Sequence, residues 1–94
     1  MVQNFTLNQN YPNPFNPSTI IKFIIPYIVS TYSLKTTLIV YDILGMQITT
    51  HISDDLPEGE YEVTFDASGL TSGNYFYQLI AGSNILTKQL VLLR

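Results

Sequence analysis

The chain has 94 residues, enough for one folded unit that hides roughly 65% of its unfolded surface but not for a second core. An apolar content of 46% against 12% charged residues excludes a disordered tail, which lacks the apolar surface to offset chain entropy. A net charge of -3, with Lys22, Lys35, Lys88 and Arg94 scattered as the four cations, leaves no basic stripe for nucleic acid, and the absence of Cys leaves no disulfide or thiolate site.

Taken in chain order, clusters of Gly, Pro, Asn, Asp and Ser separate short runs of Ile, Val, Thr, Tyr and Phe, with no long helical period. This pattern predicts an all-β, immunoglobulin-like Greek-key β-sandwich of about seven antiparallel strands, with residues 1–94 as a single domain. The first residues have neither the basic stretch nor the apolar core of a secretory signal, so Met1 reads as the start of a fragment whose parent carries any export signal. An edge strand is expected over residues 6–10. The run Tyr11-Pro12-Asn13-Pro14-Phe15-Asn16-Pro17 follows as a rigid loop, because Pro cannot donate to a ladder and restrains its neighbours.

The second strand is expected at residues 19–25, with Ile21, Phe23 and Ile25 inward and Lys22 outward. The apolar run 20–29 is about half a membrane span and contains Lys22 and Pro26, so it reads as a buried strand and not as a transmembrane segment. A third strand at 36–41 places Leu38 and Val40 on the face of Thr36. Asp42 and Gly45 then make a tight connection, since Asp bonds the amides ahead of it and Gly tolerates positive φ. A fourth strand is expected at 47–52, an acidic turn at 53–59 and a fifth strand at 60–65 with Tyr61, Val63 and Phe65 inward.

Strand six is expected at 74–81, and a two-residue turn at Gly82 and Ser83 leads into strand seven at 85–93. In that last strand Leu86, Leu90 and Leu92 compete with Ile85, Val91 and Leu93 for the interior. Tyr75, just after Gly73 and a crossing loop, stands where a tyrosine corner would bond the loop backbone, although an ordinary core Tyr fits the same spacing.

Residues 7–19, 40–45, 65–77 and 87–94 resemble, in order and spacing, the type A C-terminal sorting domain of type IX (Por) secretion substrates. The immunoglobulin-like domain of the flagellar hook-capping protein is similar to it. The resemblance implies a non-catalytic signal without cofactors, at the end of a larger exported hydrolase or adhesin of a Gram-negative bacterium. It also implies three partners: an outer-membrane translocon, a sortase-like protease that removes the domain, and the covalently linked N-terminal cargo, which surface lipopolysaccharide can then anchor. By position it assigns partner recognition to Pro12, Asn13 and Pro14, to Asp42 and Gly45, to Gly73 and Tyr75, and to Lys88 and Arg94. Met46 departs from the pattern, standing where the family usually has Arg.

Without the family, three prolines pre-organise a loop for a partner, or simply protect a sheet edge from aggregation. The terminal strand, expected to be paired on one side only, offers an edge for strand addition, with packing as the main role of its apolar residues. His51 is the single histidine, and it lies in an expected edge strand rather than at a loop tip facing a pocket, which argues against catalysis. Asp54, Asp55, Glu58 and Glu60 could approach a hard cation but lack a ligand-loop spacing, so a solvated turn is the expectation. Two other classes compete with sorting. One is a carbohydrate-binding module using Tyr27, Tyr32, Tyr41 or Phe76, and the other an assembly domain that associates through strand edges.

Overall fold

The alternating segments become strands because each can bury one row of side chains and leave the other in water. In the computed structural model, which describes residues 5–27 and 33–93, these are β1 (Thr6–Leu7), β2 (Ser18–Ile25), β3 (Leu34–Tyr41), β4 (Gln47–Leu56), β5 (Gly59–Asp66), β6 (Gly73–Ala81) and β7 (Asn84–Leu92). They form two antiparallel sheets, ordered β1-β2-β5 and β4-β3-β6-β7, as an immunoglobulin-like sandwich requires. Its partition differs from the constant-type arrangement, in which the fourth strand would join the first, second and fifth; here β4 pairs with β3.

Between the sheets lie Ile21, Phe23 and Ile25 of β2, Leu38 and Val40 of β3, Phe65 of β5, Tyr75, Tyr77 and Leu79 of β6, and Leu90 and Leu92 of β7. The inward rows expected for β2 and β3 are therefore the ones buried. Tyr61 and Val63 are only half-buried because β5 is a sheet edge; Tyr61 stacks on Phe23 with ring centroids 5.3 Å apart.

Four expectations need correction. The acidic stretch is mostly strand: Ser53, Asp54, Asp55 and Leu56 continue β4 opposite Thr37, Thr36, Lys35 and Leu34, leaving Pro57 and Glu58 as the turn. The longer pairing lets Leu56 pack on the core while Asp55 sits across from Lys35, an opposite-charge pair on the sheet. The same pairing starts β3 at Leu34 instead of at 36. The first strand stops at Leu7, because beyond it the Asn10 N–H turns across the sandwich to the Tyr77 hydroxyl.

The last strand is also not left with a single neighbour. Phe15 forms a parallel bridge to Leu92, with Phe15 N donating to Val91 O and Leu93 N donating to Phe15 O, both at 3.0 Å. The proline-rich loop thus covers the end of the β7 edge, a protected edge of the kind that discourages aggregation. The register of β7 is settled by β6. Leu86, Lys88 and Leu90 lie opposite Leu79, Tyr77 and Tyr75, so the Leu86, Leu90 and Leu92 row faces in while Ile85 and Leu93 are exposed.

Candidate functional site

Pro12, Asn13 and Pro14 are exposed, but the loop that carries them is fastened at both flanks. Before it, Asn10 is 2% exposed and its Nδ2 donates to Pro12 O (3.1 Å) and to Thr19 Oγ1 (3.0 Å). Thr19 Oγ1 donates in turn to Pro12 O at 2.7 Å. The Tyr77 hydroxyl accepts from Asn10 N (2.8 Å) and donates to Asn8 O (2.6 Å), and burial pushes its pKa up to about 12. After it, Phe15 is buried against Phe65, with ring centroids 6.1 Å apart. Asn13 reaches across to the last strand, its Oδ1 accepting from Val91 N at 2.9 Å. The peptide bonds before Pro12, Pro14 and Pro17 are cis.

That contact makes a local prediction. Asn13→Ala is expected to cost about 0.5–1.5 kcal/mol, the net worth of one hydrogen bond. It should also raise the hydrogen-exchange rate of the Val91 amide while sparing that of Leu90, which belongs to the β6 ladder; equal acceleration of both would show that Asn13 does not act on this edge.

Asp42 and Gly45 build the β3–β4 hairpin. The Asp42 Oδ1 accepts from Leu44 N and Met46 N, both at 2.9 Å, while Asp42 N donates to Met46 O and Gly45 N to Asp42 O. Gly45 holds φ at +85°, a conformation that a side chain would strain. The carboxylate and glycine therefore fix this turn, as the sequence predicts. Its tip carries Ile43, Leu44 and Met46, which are 66%, 82% and 65% exposed.

The loop from β5 to β6 is organised by two side chains. Asp66 Oδ1 accepts from Ser68 Oγ and N, and these bonds hold its carboxyl below the usual range. Tyr75 donates its hydroxyl to Thr71 O at 2.6 Å, so the tyrosine corner is the correct reading and its phenol fastens the loop behind Gly73. Lys88 is exposed although it shares the core-facing row of β7, which places its stem at the sandwich margin with the ammonium in water. Arg94 and Tyr32 lie outside the described residues.

The strand registers bring most of these motifs to one end. Ser18 of β2 lies opposite Asp66 of β5, Tyr41 of β3 opposite Phe76 of β6, and Gly73 opposite Leu92 of β7. Pro17 O accepts from Ala67 N while Phe15 bonds β7, which ties the two sheets together there. Loops 11–17, 42–46 and 67–73 and the end of β7 consequently share a pole. Lys88 lies several residues along β7 from it. The strand β1 begins toward the other pole, where Thr6 pairs with Ile24.

The competing sites do not assemble. His51 sits in β4 at a bulge, edge-on to Phe65 at 5.5 Å, and burial lowers its pKa below the usual 6.5. Among the described residues no group of three His, Cys, Asp or Glu side chains could hold a metal ion, and Asp54 and Asp55, successive on a strand, point to opposite faces. Tyr41 and Phe76 are paired and half-buried on the outer face of the four-stranded sheet, whereas Tyr27 is at the far pole. Sequence reasoning missed Asn10, Thr19 and Tyr77 as the loop's anchors. The only signal was a polar Asn between apolar strands, and nothing in the spacing pairs positions 10 and 77.

An immunoglobulin-like sandwich hosts many functions, so what distinguishes this one is the set of rigid, motif-bearing loops gathered at one end. A family model described as the secretion system C-terminal sorting domain matches residues 9–93, and the chain belongs to that family. It is a sorting signal for type IX secretion, not catalytic itself, attached to a cargo protein destined for the cell surface or the medium. Comparison with curated proteins found no match, and neither did comparison with solved structures.

Proposed function

We propose that residues 1–94 act as one unit whose motif-bearing pole is the face handled by the outer-membrane translocon and the sortase-like protease, after transit through a Gram-negative periplasm. Pro12, Asn13, Pro14, Asp42, Gly45, Gly73, Tyr75, Lys88 and Arg94 are its recognition residues. Most of them act by holding a shape: Asp42 and Gly45 set one loop, Tyr75 and Gly73 another, and Asn13 joins the third to β7. One observation carries the reading. The strand β1 begins near Ile24, whereas the motifs gather near Asp66, Tyr41 and Leu92, so a cargo joined on the N-terminal side of β1 would leave from a point roughly 25 Å from them, the length of an eight-residue strand.

The test is a periplasmic reporter fused ahead of residues 1–94 in a type IX-competent host. The fusion is expected at the surface or in the medium, and the reporter alone in the periplasm. Lys88→Glu should lower delivery at little cost in thermal stability, and Asn13→Ala should lower it together with the loss of about 0.5–1.5 kcal/mol given above, while Tyr27→Ser at the opposite pole should leave delivery unchanged. Delivery of Asn13→Ala equal to that of Tyr27→Ser would remove the pole from recognition, and undiminished delivery of Lys88→Glu would remove Lys88. Removing residues 88–94 is a poorer test, because it takes Leu90 and Leu92 out of the core.

A further inference from the structure

The outer edge of β7 is covered by side chains as well as by backbone. Its outward groups belong to the alternate residues 89, 91 and 93, and four hydrogen bonds with segment 9–15 satisfy them. Gln9 Nε2 donates to Gln89 O (2.6 Å), Asn13 Oδ1 accepts from Val91 N (2.9 Å), and the Phe15 backbone bonds Val91 O and Leu93 N. A primary amide can stand in for the peptide group of a neighbouring strand, because it offers the same planar N–H and C=O. Gln9 precedes Pro12 and Asn13 follows it, so both sides of Pro12 hold the same strand.

Gln9 does more than cover that edge. The second N–H of its Nε2 goes to Asn10 Oδ1 at 2.7 Å, and both N–H groups of the Asn10 amide are committed in turn, to Pro12 O and Thr19 Oγ1. Two carboxamides in series therefore link β7 of one sheet to Thr19 of β2 in the other, with the Pro12 carbonyl accepting from Asn10 and Thr19 alike. Hydrogen bonds chained in this way polarise one another and act as a unit. Asn10 is buried whereas Gln9 is exposed, so Gln9 is the link whose bonds compete with water.

Resting on the reading above, in which the export machinery handles the motif-bearing pole, we infer that Gln9 is a positioning residue for sorting: its amide couples the seating of β7 to the setting of the Pro12–Pro14 loop. With β7 seated, Gln89 O orients the Gln9 amide, that amide fixes Asn10, and Asn10 holds Pro12. With β7 unseated, the segment loses its contacts at Gln89, Val91 and Leu93 together. Seating of the strand is the two-state element that such a coupling requires. The loop follows the first strand and depends on the seventh, so it takes its recognised shape only once the sandwich has closed. An incompletely folded chain offers the machinery the motif's sequence without its shape, which makes folding of the domain a condition for delivery.

The experiment compares variants of the reporter fused ahead of residues 1–94. Gln9→Met keeps the length of the side chain and removes both donors, whereas Gln9→Lys keeps donors that can reach the two oxygens. Ile52→Val is the control, a similar loss of stability on β4, at the opposite edge of the sheet from β7. Gln9→Met is expected to lower the thermal midpoint by roughly 5 °C and surface delivery about two- to tenfold, the population shift that one hydrogen bond controls. It should also speed exchange of the Val91 amide, which Asn13 and not Gln9 holds, while the Leu90 amide stays protected. Gln9→Lys and Ile52→Val should deliver like the unaltered fusion. Normal delivery of Gln9→Met, an unchanged Val91 amide, delivery of Gln9→Lys as low as that of Gln9→Met, or an equal loss from Ile52→Val each overturns the coupling. The reading on which it rests fails separately, when the unaltered fusion does not reach the surface or when Asn13→Ala delivers as well as Tyr27→Ser.

Discussion

Removing a single oxygen from Tyr77 is expected to cost the domain about 2–4 kcal/mol, because Tyr77→Phe leaves the Asn10 N–H and the Asn8 C=O without their buried partner. For a chain of 94 residues this lowers the thermal midpoint by roughly 10 °C or more. The same hydroxyl predicts a pH dependence. Its folded pKa, about 12, lies above the ordinary 10.0, so the neutral phenol's contribution is complete below pH 10.0 and is lost as pH rises toward the folded value. Denaturant midpoints measured at pH 8 and near pH 12 should therefore fall more steeply for the native protein than for Tyr77→Phe. Parallel losses would mean that the phenol ionises within the fold as easily as in water. Because Tyr77 joins β6 to the segment before the prolines, the variant should also loosen the Pro12 loop, seen as faster amide exchange at Asn10 and Tyr11.

The second large effect separates the two faces of β7. Leu90→Ala is expected to destabilise by about 2–5 kcal/mol, the range for a fully buried Leu, since Leu90 is 0% exposed. Leu93→Ala, at a position 56% exposed, should change stability by about 0.5 kcal/mol or less. Urea unfolding of the pair decides the register, and a larger loss from Leu93→Ala would mean that the strand is inverted. This prediction bears on function as well. If Leu90 and Leu92 hold the sandwich together, a receptor that reads β7 reads a packed strand with Asn13 and Phe15 along its edge.

Strand periodicity was enough to specify the two-layer architecture, the inward rows of β2 and β3, the Asp42–Gly45 turn and the Gly82–Ser83 turn. Each depends on side-chain alternation or on a backbone preference that acts over a few residues. The family motifs were equally legible, because they are local strings. Tertiary contacts decided whatever depends on a distant partner. Local spacing allowed either role for Tyr75, and only the fold put Thr71 O within reach of its hydroxyl. Apolar residues on both rows of β7 left its register open; pairing with Tyr75 and Leu79 selected the row of Leu86, Leu90 and Leu92, which also carries the exposed Lys88. The acidic stretch reads as a turn by composition, yet the ladder to Leu34 and Lys35 keeps it extended. The proline loop's attachment to Val91 joins residues 78 positions apart, and no local preference encodes such a contact. A chain's own neighbours set its strands and turns, but which edges are covered and which motifs share a pole follow from closing one sheet over the other.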